Sequence, residues 1–268
     1  MLERAACDRY LAILGLRERP PSREALAALV RSHLQRVPFE NVSKLYHRHV
    51  RRRTDLVDVE TYLHDIERYR FGGTCYALNY GLYRLLGGLG YRVRLCGAAM
   101  SAPDVHLAII ATVDGADYLL DVGYGGPFFA PVPLGAAERR VISSGRDRYE
   151  FWTDPAPRLD HFRDGEFRHG YTVNPAAREI GEFREVIASS FDEGATFMNA
   201  LLVIRYTDEG SEVLHNLRFT ETRHDAVSSR FLRDRHEVVE VLAQRFGMPR
   251  AIVEELVADL PMRQDPYG

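Results

Sequence analysis

The chain is poor in cysteine. Its three, Cys7, Cys75 and Cys96, form neither an even disulfide framework nor a metal-ligand spacing, so no metal is expected and a reducing, cytoplasmic setting is. Long apolar runs are missing too. Nothing approaches the ~20 residues of a membrane span, and Met1-Leu2-Glu3-Arg4 lacks the apolar core of a signal peptide. Nor is there an excess of positive charge. Against 38 Asp and Glu stand 35 Lys and Arg, a formal net charge of −3 with the signs interspersed, which leaves no basic stripe for nucleic acid. One short cluster, Arg48, Arg51, Arg52 and Arg53, reads either as a solvated loop or as a docking surface for phosphates. Repeats, low-complexity tracts and long linkers are absent. With 268 residues, one large domain or two ordinary ones can close over a core without covalent staples.

What is present gathers around Phe71-Gly72-Gly73-Thr74-Cys75-Tyr76-Ala77-Leu78-Asn79. Two glycines permit a tight approach. From Cys75 onward Leu78, Leu82, Leu85, Leu86 and Leu89 recur at helical spacing, so a helix is expected to start near the cysteine. Unpaired N–H groups and the positive end of the dipole at such a start stabilise a thiolate. The stretch alone leaves two readings open: an activated nucleophile, or a small apolar residue in a core helix. Cys7 and Cys96 read as inert core.

Residues 1–70 read as helical. Arg9 to Leu16 is short, Pro20-Pro21 breaks it, and Ser22 can cap an amphipathic helix carrying Leu26, Leu29, Val30, His33 and Leu34 until Pro38. A second helix is expected from Asp58 to Tyr69. Between them, Val37-Pro38-Phe39-Glu40-Asn41-Val42 brackets a carboxylate with apolar residues, and a buried Glu40 needs a partner. From Tyr91 the texture changes to strands: 91–100, 105–113, 118–122, 148–153, 159–162, 166–173, 201–206, 212–217 and 217–222. Helices are expected at 180–189, 237–246 and 251–260, the last stopped by Pro261.

Register is informative at one hairpin. If Asp114 and Gly115 form a two-residue loop, Val113 opposes Ala116, and counting outward sets Asp121 opposite Ala108 and His106 opposite Gly123. His106 and Asp121 then become diagonal neighbours on one face, about 7 Å apart by backbone. Beyond them, Val122-Gly123-Tyr124-Gly125-Gly126-Pro127 is glycine-rich but has neither the lysine of a P-loop nor a following helix; it is pocket wall or plain turn. A helix-mouth cysteine, a histidine and a carboxylate are the parts of nucleophilic acyl transfer: Cys75 attacks, His106 carries the proton, and Asp121 fixes the ring's tautomer. Backbone N–H groups of Cys75 and Tyr76 are candidates to hold the oxyanion. A structural role for His106 stays open on these residues alone.

Four ordered motifs, Pro38-Phe39-Glu40-Asn41, Gly72-Gly73-Thr74-Cys75-Tyr76-Ala77-Leu78-Asn79, His106 leading a strand, and Leu120-Asp121-Val122-Gly123-Tyr124-Gly125, resemble those of the arylamine N-acetyltransferases. The likeness runs from Tyr10-Leu11 to Arg245-Phe246-Gly247-Met248. It implies an α+β fold with a helical domain bearing the nucleophile (1–90), an antiparallel β-barrel (91–190) and an α/β lid (191–268), around the catalytic core shared with transglutaminases and papain-like proteases. It implies a Cys75-His106-Asp121 triad and ping-pong transfer from acetyl-CoA to an arylamine or arylhydrazine. Phe39, Tyr76, Val105, Gly123, Phe128 and Phe197 would line the pocket. The family's usual Arg and Glu are replaced by Phe71 and Ala77, so Glu40 must find another cation, with Arg70 a candidate, or be protonated or meet water. Alternatives are an amide synthase moving a larger acyl group from a carrier thioester, a cysteine hydrolase or transglutaminase-like enzyme, and a non-enzymatic binding protein.

Overall fold

The computed structural model describes residues 1–135, 139–224, 226–258 and 260. The N-terminal part is helical. Helix α1 (Arg4–Leu14) ends at Gly15, whose left-handed conformation returns its N–H to the last carbonyls. Helix α2 (Arg23–Arg36) is capped as expected, the Ser22 hydroxyl accepting from the Ala25 N–H at 3.1 Å. The chain then forms strand β1 (Phe39–Glu40) and helix α3 (Val42–His49), two elements that the segment's proline and mixed polarity concealed. Helix α4 (Val59–Tyr69) starts on Asp58, whose carboxylate accepts from the Thr61 N–H at 2.8 Å. Helix α5 (Cys75–Gly88) begins at the cysteine, with Leu78, Leu82, Leu85 and Leu86 fully buried.

The arginine cluster is split by the fold. Arg51 turns inward, its guanidinium donating to both oxygens of buried Asp65 at 2.6 and 2.7 Å. Arg53 pairs with Asp55.

Eight strands follow: β2 (Arg92–Ala99), β3 (His106–Val113), β4 (Ala116–Leu120), β5 (Val132–Pro133), β6 (Arg140–Ser144), β7 (Asp147–Trp152), β8 (Arg158–Arg163) and β9 (Glu166–Val173). They form one antiparallel sheet in the order β5-β4-β3-β2-β9-β8-β7-β6. Leu119 and Val132 from one end of that order share a core with Tyr149 and Phe151 from the other, so the sheet curls into a nearly closed barrel. Alternation along β3 divides its side chains between two layers. Ala108 and Ile110 face the barrel interior, whereas Leu107, Ile109 and Ala111 join the core that also contains the leucines of α5.

A 3-10 turn (Ile180–Phe183) and helix α6 (Arg184–Ser189) lead to a second sheet. It comprises β10 (Leu202–Tyr206), β11 (Gly210–His215), β12 (Arg218–Arg223) and β13 (Ala226–Phe231), with β1 paired to β10 at the other edge, Phe39 against Ile204 and Glu40 against Val203. Helices α7 (Arg235–Arg245) and α8 (Arg250–Val257) pack on each other, and α8 also reaches α3. Strands β6 and β13, and the two-residue β5, were not expected. β13 is exposed along its whole length and β6 nearly so, and an exposed edge strand carries no alternating apolar signal. Pro261, expected to stop the last helix, lies outside the described residues. Among the described residues, no helix is long and apolar enough to cross a membrane.

Candidate active site

The placement of Cys75 begins with a close backbone approach. A side chain at Gly72 would put its Cβ 1.9 Å from the Pro38 carbonyl oxygen, so only glycine lets the loop before α5 lie against the segment before β1. The Glu40 N–H donates to the Gly73 carbonyl at 3.0 Å. Glu40 itself is fully buried, its two oxygens accepting from the N–H groups of Gly72 at 2.9 Å and Ser43 at 2.8 Å. Burial raises its pKa, and these hydrogen bonds act against that rise. Arg70, the cation considered for it, is instead exposed at the end of α4. The carboxylate is met by backbone donors, and it braces the loop that presents the cysteine.

Cys75 opens α5, and the Thr74 side chain makes no cap bond. The first-turn N–H groups are therefore not consumed by a capping hydroxyl. The sulfur lies 3.9 Å from the Val105 carbonyl oxygen and interacts with the His106 ring. His106, the first residue of β3, shares the barrel-facing side with Ala108 and Ile110. The hairpin register is the expected one, Val113 opposite Ala116 through Ile109 opposite Leu120, and it carries Asp121 back to the histidine. Nε2 of His106 and Oδ2 of Asp121 are 2.8 Å apart. That leaves Nδ1 as the nitrogen available to the sulfur.

Asp121 is held on its other oxygen by two donors. The Asn79 amide donates to Oδ1 at 2.8 Å and the Gly123 N–H at 2.9 Å. Asn79 also donates to the Leu107 carbonyl at 2.6 Å and accepts from the Val122 N–H at 2.9 Å. One helical turn past the cysteine, it ties the nucleophile's helix to both strands of the hairpin. Asn79 was not among the expected site residues, though its i+4 spacing from Cys75 places both on one helix face. Tyr171 of β9 was likewise missed. Its ring stacks on His106 at 4.8 Å between centroids, a cross-sheet contact with no local sign in the chain.

Electrostatics separate His106 from an ordinary buried histidine. Burial opposes a charge on the ring, yet Asp121 and then Cys75 outweigh it and raise its pKa to about 10. Burial likewise works to raise the Asp121 carboxyl, but His106, Asn79 and the Gly123 N–H hold it below the usual carboxylate range. Burial raises the thiols of Cys7 and Cys96, the latter to about 11.

The expected pocket residues fall into two groups. Phe39 and Phe197 meet edge to face at 5.8 Å, the Tyr76 hydroxyl donates to the Asp104 carbonyl at 2.5 Å, and Val105 presents its carbonyl to the sulfur. A Cβ on Gly123 would lie 2.6 Å from the Cys75 Cα, so α5 and the segment that follows β4 and bears Asp121 touch there. Phe128 is set back in the barrel core against Tyr149 and Phe151, and it reaches His106 through the ring of Tyr124. Among the described residues, no group of three or more His, Cys, Asp or Glu is placed to hold a metal ion.

Residues 22–253 match a family model described as N-acetyltransferase. An arylamine N-acetyltransferase of Mycolicibacterium smegmatis is 29% identical over 273 residues, covering 89% of this chain and 90% of that one. Proansamycin X synthase of Amycolatopsis mediterranei is 35% identical over 116 residues, 40% of this chain and 43% of its own. Among solved structures, the Mycobacterium marinum arylamine N-acetyltransferase in complex with CoA superposes with a TM-score of 0.80 at 23% identity, covering 95% of this chain and 99% of that one. The Salmonella typhimurium arylamine N-acetyltransferase gives 0.80 at 20% identity, with 96% and 99% covered. At those identities the structural likeness establishes the fold.

Proposed function

Because the chain belongs to the arylamine N-acetyltransferase family, and is on that ground an acyltransferase, we propose that it transfers an acetyl group from acetyl-CoA to an arylamine or arylhydrazine through an acetyl-cysteine at Cys75. The observation that carries this reading is the buried His106–Asp121 pair at 2.8 Å, with Cys75 beside the ring. A ring whose pKa is raised to about 10 holds its proton at neutral pH, so it can stand as an imidazolium beside a thiolate.

Cys75 attacks the thioester carbonyl, and first-turn N–H groups of α5, those of Cys75 and Tyr76, receive the oxyanion. The carbon–sulfur bond to CoA breaks, and the departing thiolate takes the proton from His106. A neutral amine nitrogen then attacks the acetyl carbon. His106 accepts the amine's proton and Cys75 leaves as thiolate, which restores the starting pair. Asp121 keeps Nε2 protonated and directed away from the sulfur throughout. Phe39, Phe197, Tyr76, Val105 and Gly123 form the wall around the reacting carbonyl, and Phe128 supports it from behind Tyr124.

Intact mass after mixing with acetyl-CoA in the absence of amine tests the route. One acetyl group should map to Cys75 and discharge on addition of an arylamine or hydrazine, and Cys75→Ser should not be labelled. The likeness to proansamycin X synthase supports a second reading, a larger acyl group delivered from a carrier thioester. Rapid iodoacetamide labelling of Cys75 without acetylation, together with acylation by a long-chain thioester, would favour it.

A further inference from the structure

All but one of the 35 basic Lys and Arg residues are arginine. The single lysine, Lys44 on α3, is only 6% exposed. Its ammonium donates to the Ser190 hydroxyl at 2.6 Å and lies 3.8 Å from the centre of the Phe191 ring. Ser190 in turn donates to the Ile187 carbonyl. Among the described residues no carboxylate pairs with Lys44. An ammonium carries three donors, and a buried one without a counter-charge is costly to hold.

Lys44 faces a cavity of about 50 Å³. Gly73, Thr74, Tyr76 and Ala77, the residues on either side of Cys75 at the positive end of α5, also line it, though Cys75 itself does not. The two acids in the wall already have cations, Asp65 from Arg51 at 2.6 and 2.7 Å and Asp55 from Arg53 at 3.0 Å to each oxygen. Burial lowers the pKa of His47, also in the wall, to about 4, so it is neutral near pH 7. Lys44, protonated at neutral pH because burial lowers its pKa only to about 8, has the Cys75 thiolate as the negative charge acting on it, and acylation of Cys75 removes that charge. Phe71 and Ala77, the two departures from the family pattern, both line this space. By the same measure a water needs ~10–15 Å³. The cavity accepts a group of a few heavy atoms and is too small for an aromatic ring.

We propose that this cavity receives a carboxylate at the far end of a short acyl chain held on Cys75, with Lys44 as its counter-ion, so that dicarboxylic half-thioesters serve as donors. The inference rests on the reading of Cys75 as the acylated nucleophile. Chemistry at the carbonyl is unchanged: the bond from the acyl carbon to the CoA sulfur breaks, the bond to Cys75 forms, and the amine later displaces Cys75. The distal carboxylate does not react, and the product is a half-amide.

The test measures the rate of Cys75 acylation by intact mass, using malonyl-CoA and succinyl-CoA against butyryl-CoA and acetyl-CoA. At least one of the two carboxylate donors should acylate the wild-type protein tenfold or more faster than butyryl-CoA, and Lys44→Met should lower that ratio at least tenfold. Acetylation with no preference for either carboxylate donor overturns the inference and leaves the parent reading standing, even if the variant fails to fold. A ratio unchanged in Lys44→Met overturns it as well. So does a preference for 4-aminobenzoate over aniline without any donor preference, which would place the carboxylate on the acceptor. No Cys75 adduct from any of the four thioesters overturns both.

Discussion

His33 in the helical half and His106 at the barrel rim are equally shut off from water, at 0% and 2% exposed, and they titrate in opposite directions. His33 has the Tyr10 hydroxyl 2.8 Å from Nε2, and burial lowers its pKa to about 3. At His106 the same burial is outweighed by Asp121, and the pKa rises to about 10. His47 explains why proximity to a carboxylate is not enough. It lies 3.6 Å from Asp65, yet that carboxylate is already held by Arg51 through two hydrogen bonds, and burial together with the guanidinium keeps His47 low, at about 4. Burial sets the default, neutral state of a histidine. A buried carboxylate with no cation of its own reverses it.

The largest test of this contrast is Asp121→Asn, which gives His106 the neutral surroundings of His33. Turnover should fall by ~10³–10⁴-fold, as expected when the group orienting a catalytic histidine is lost. Iodoacetamide labelling of Cys75 near pH 7 should slow in parallel. Far-UV circular dichroism should be unchanged, since the amide oxygen can still accept from Asn79 and Gly123. Labelling at the wild-type rate would make Asp121 a structural residue only.

Next in size is the pH dependence of stability, which should differ in sign between the two histidines. With a folded pKa of about 3 below an unfolded value of ~6.5, His33 contributes fully above the unfolded value. That contribution is lost as the pH falls toward the folded one, on the order of 5 kcal/mol in all. His106, raised to about 10, contributes fully below ~6.5 and loses its contribution as the pH rises through about 10. Urea unfolding from pH 4 to 10 should show His33→Gln flattening the acid limb and Asp121→Asn flattening the alkaline limb. The reverse pairing would refute the assignment of charge states.

Gly123→Ala probes the seam between the two regions. Its Cβ would lie 2.6 Å from the Cys75 Cα and 2.8 Å from the Asn79 amide nitrogen, so a loss of ~1–3 kcal/mol from overpacking is expected, with slowed acylation of Cys75. Wild-type stability and acylation together would mean that α5 is free to shift. At the small end, Arg4→Ala removes exposed contacts with Asp8 and Glu18 and should leave the thermal midpoint where it was. A clear drop would argue that surface charge, rather than the buried pairs, sets stability here.

Much of the scaffold was legible because its causes are local. The Ser22 cap, the start of α5 at Cys75 and the Asp114-Gly115 turn each follow from a few neighbouring residues, and Asp114 and Gly115 take the positive φ values that a two-residue loop requires. Elements without local contrast were hidden. β1 exists because β10 pairs with it, and β13 is exposed throughout. Around the site, Asn79 could have been singled out by its spacing from Cys75. Nothing near Tyr171 in the chain says that its ring covers His106.

By itself, the sequence determined where the nucleophile's helix begins and which face of the hairpin carries His106 and Asp121, since short-range backbone preferences and a strict two-residue period decide both. Only the tertiary structure decided the state of each buried charge, because a buried group's ionisation depends on whatever the fold brings within a few ångströms of it. His106 meets a carboxylate 15 residues away across one turn. Glu40 is met by the backbone of a loop 32 residues on, and Lys44 by a serine 146 residues on. No local pattern could have supplied the last two partners.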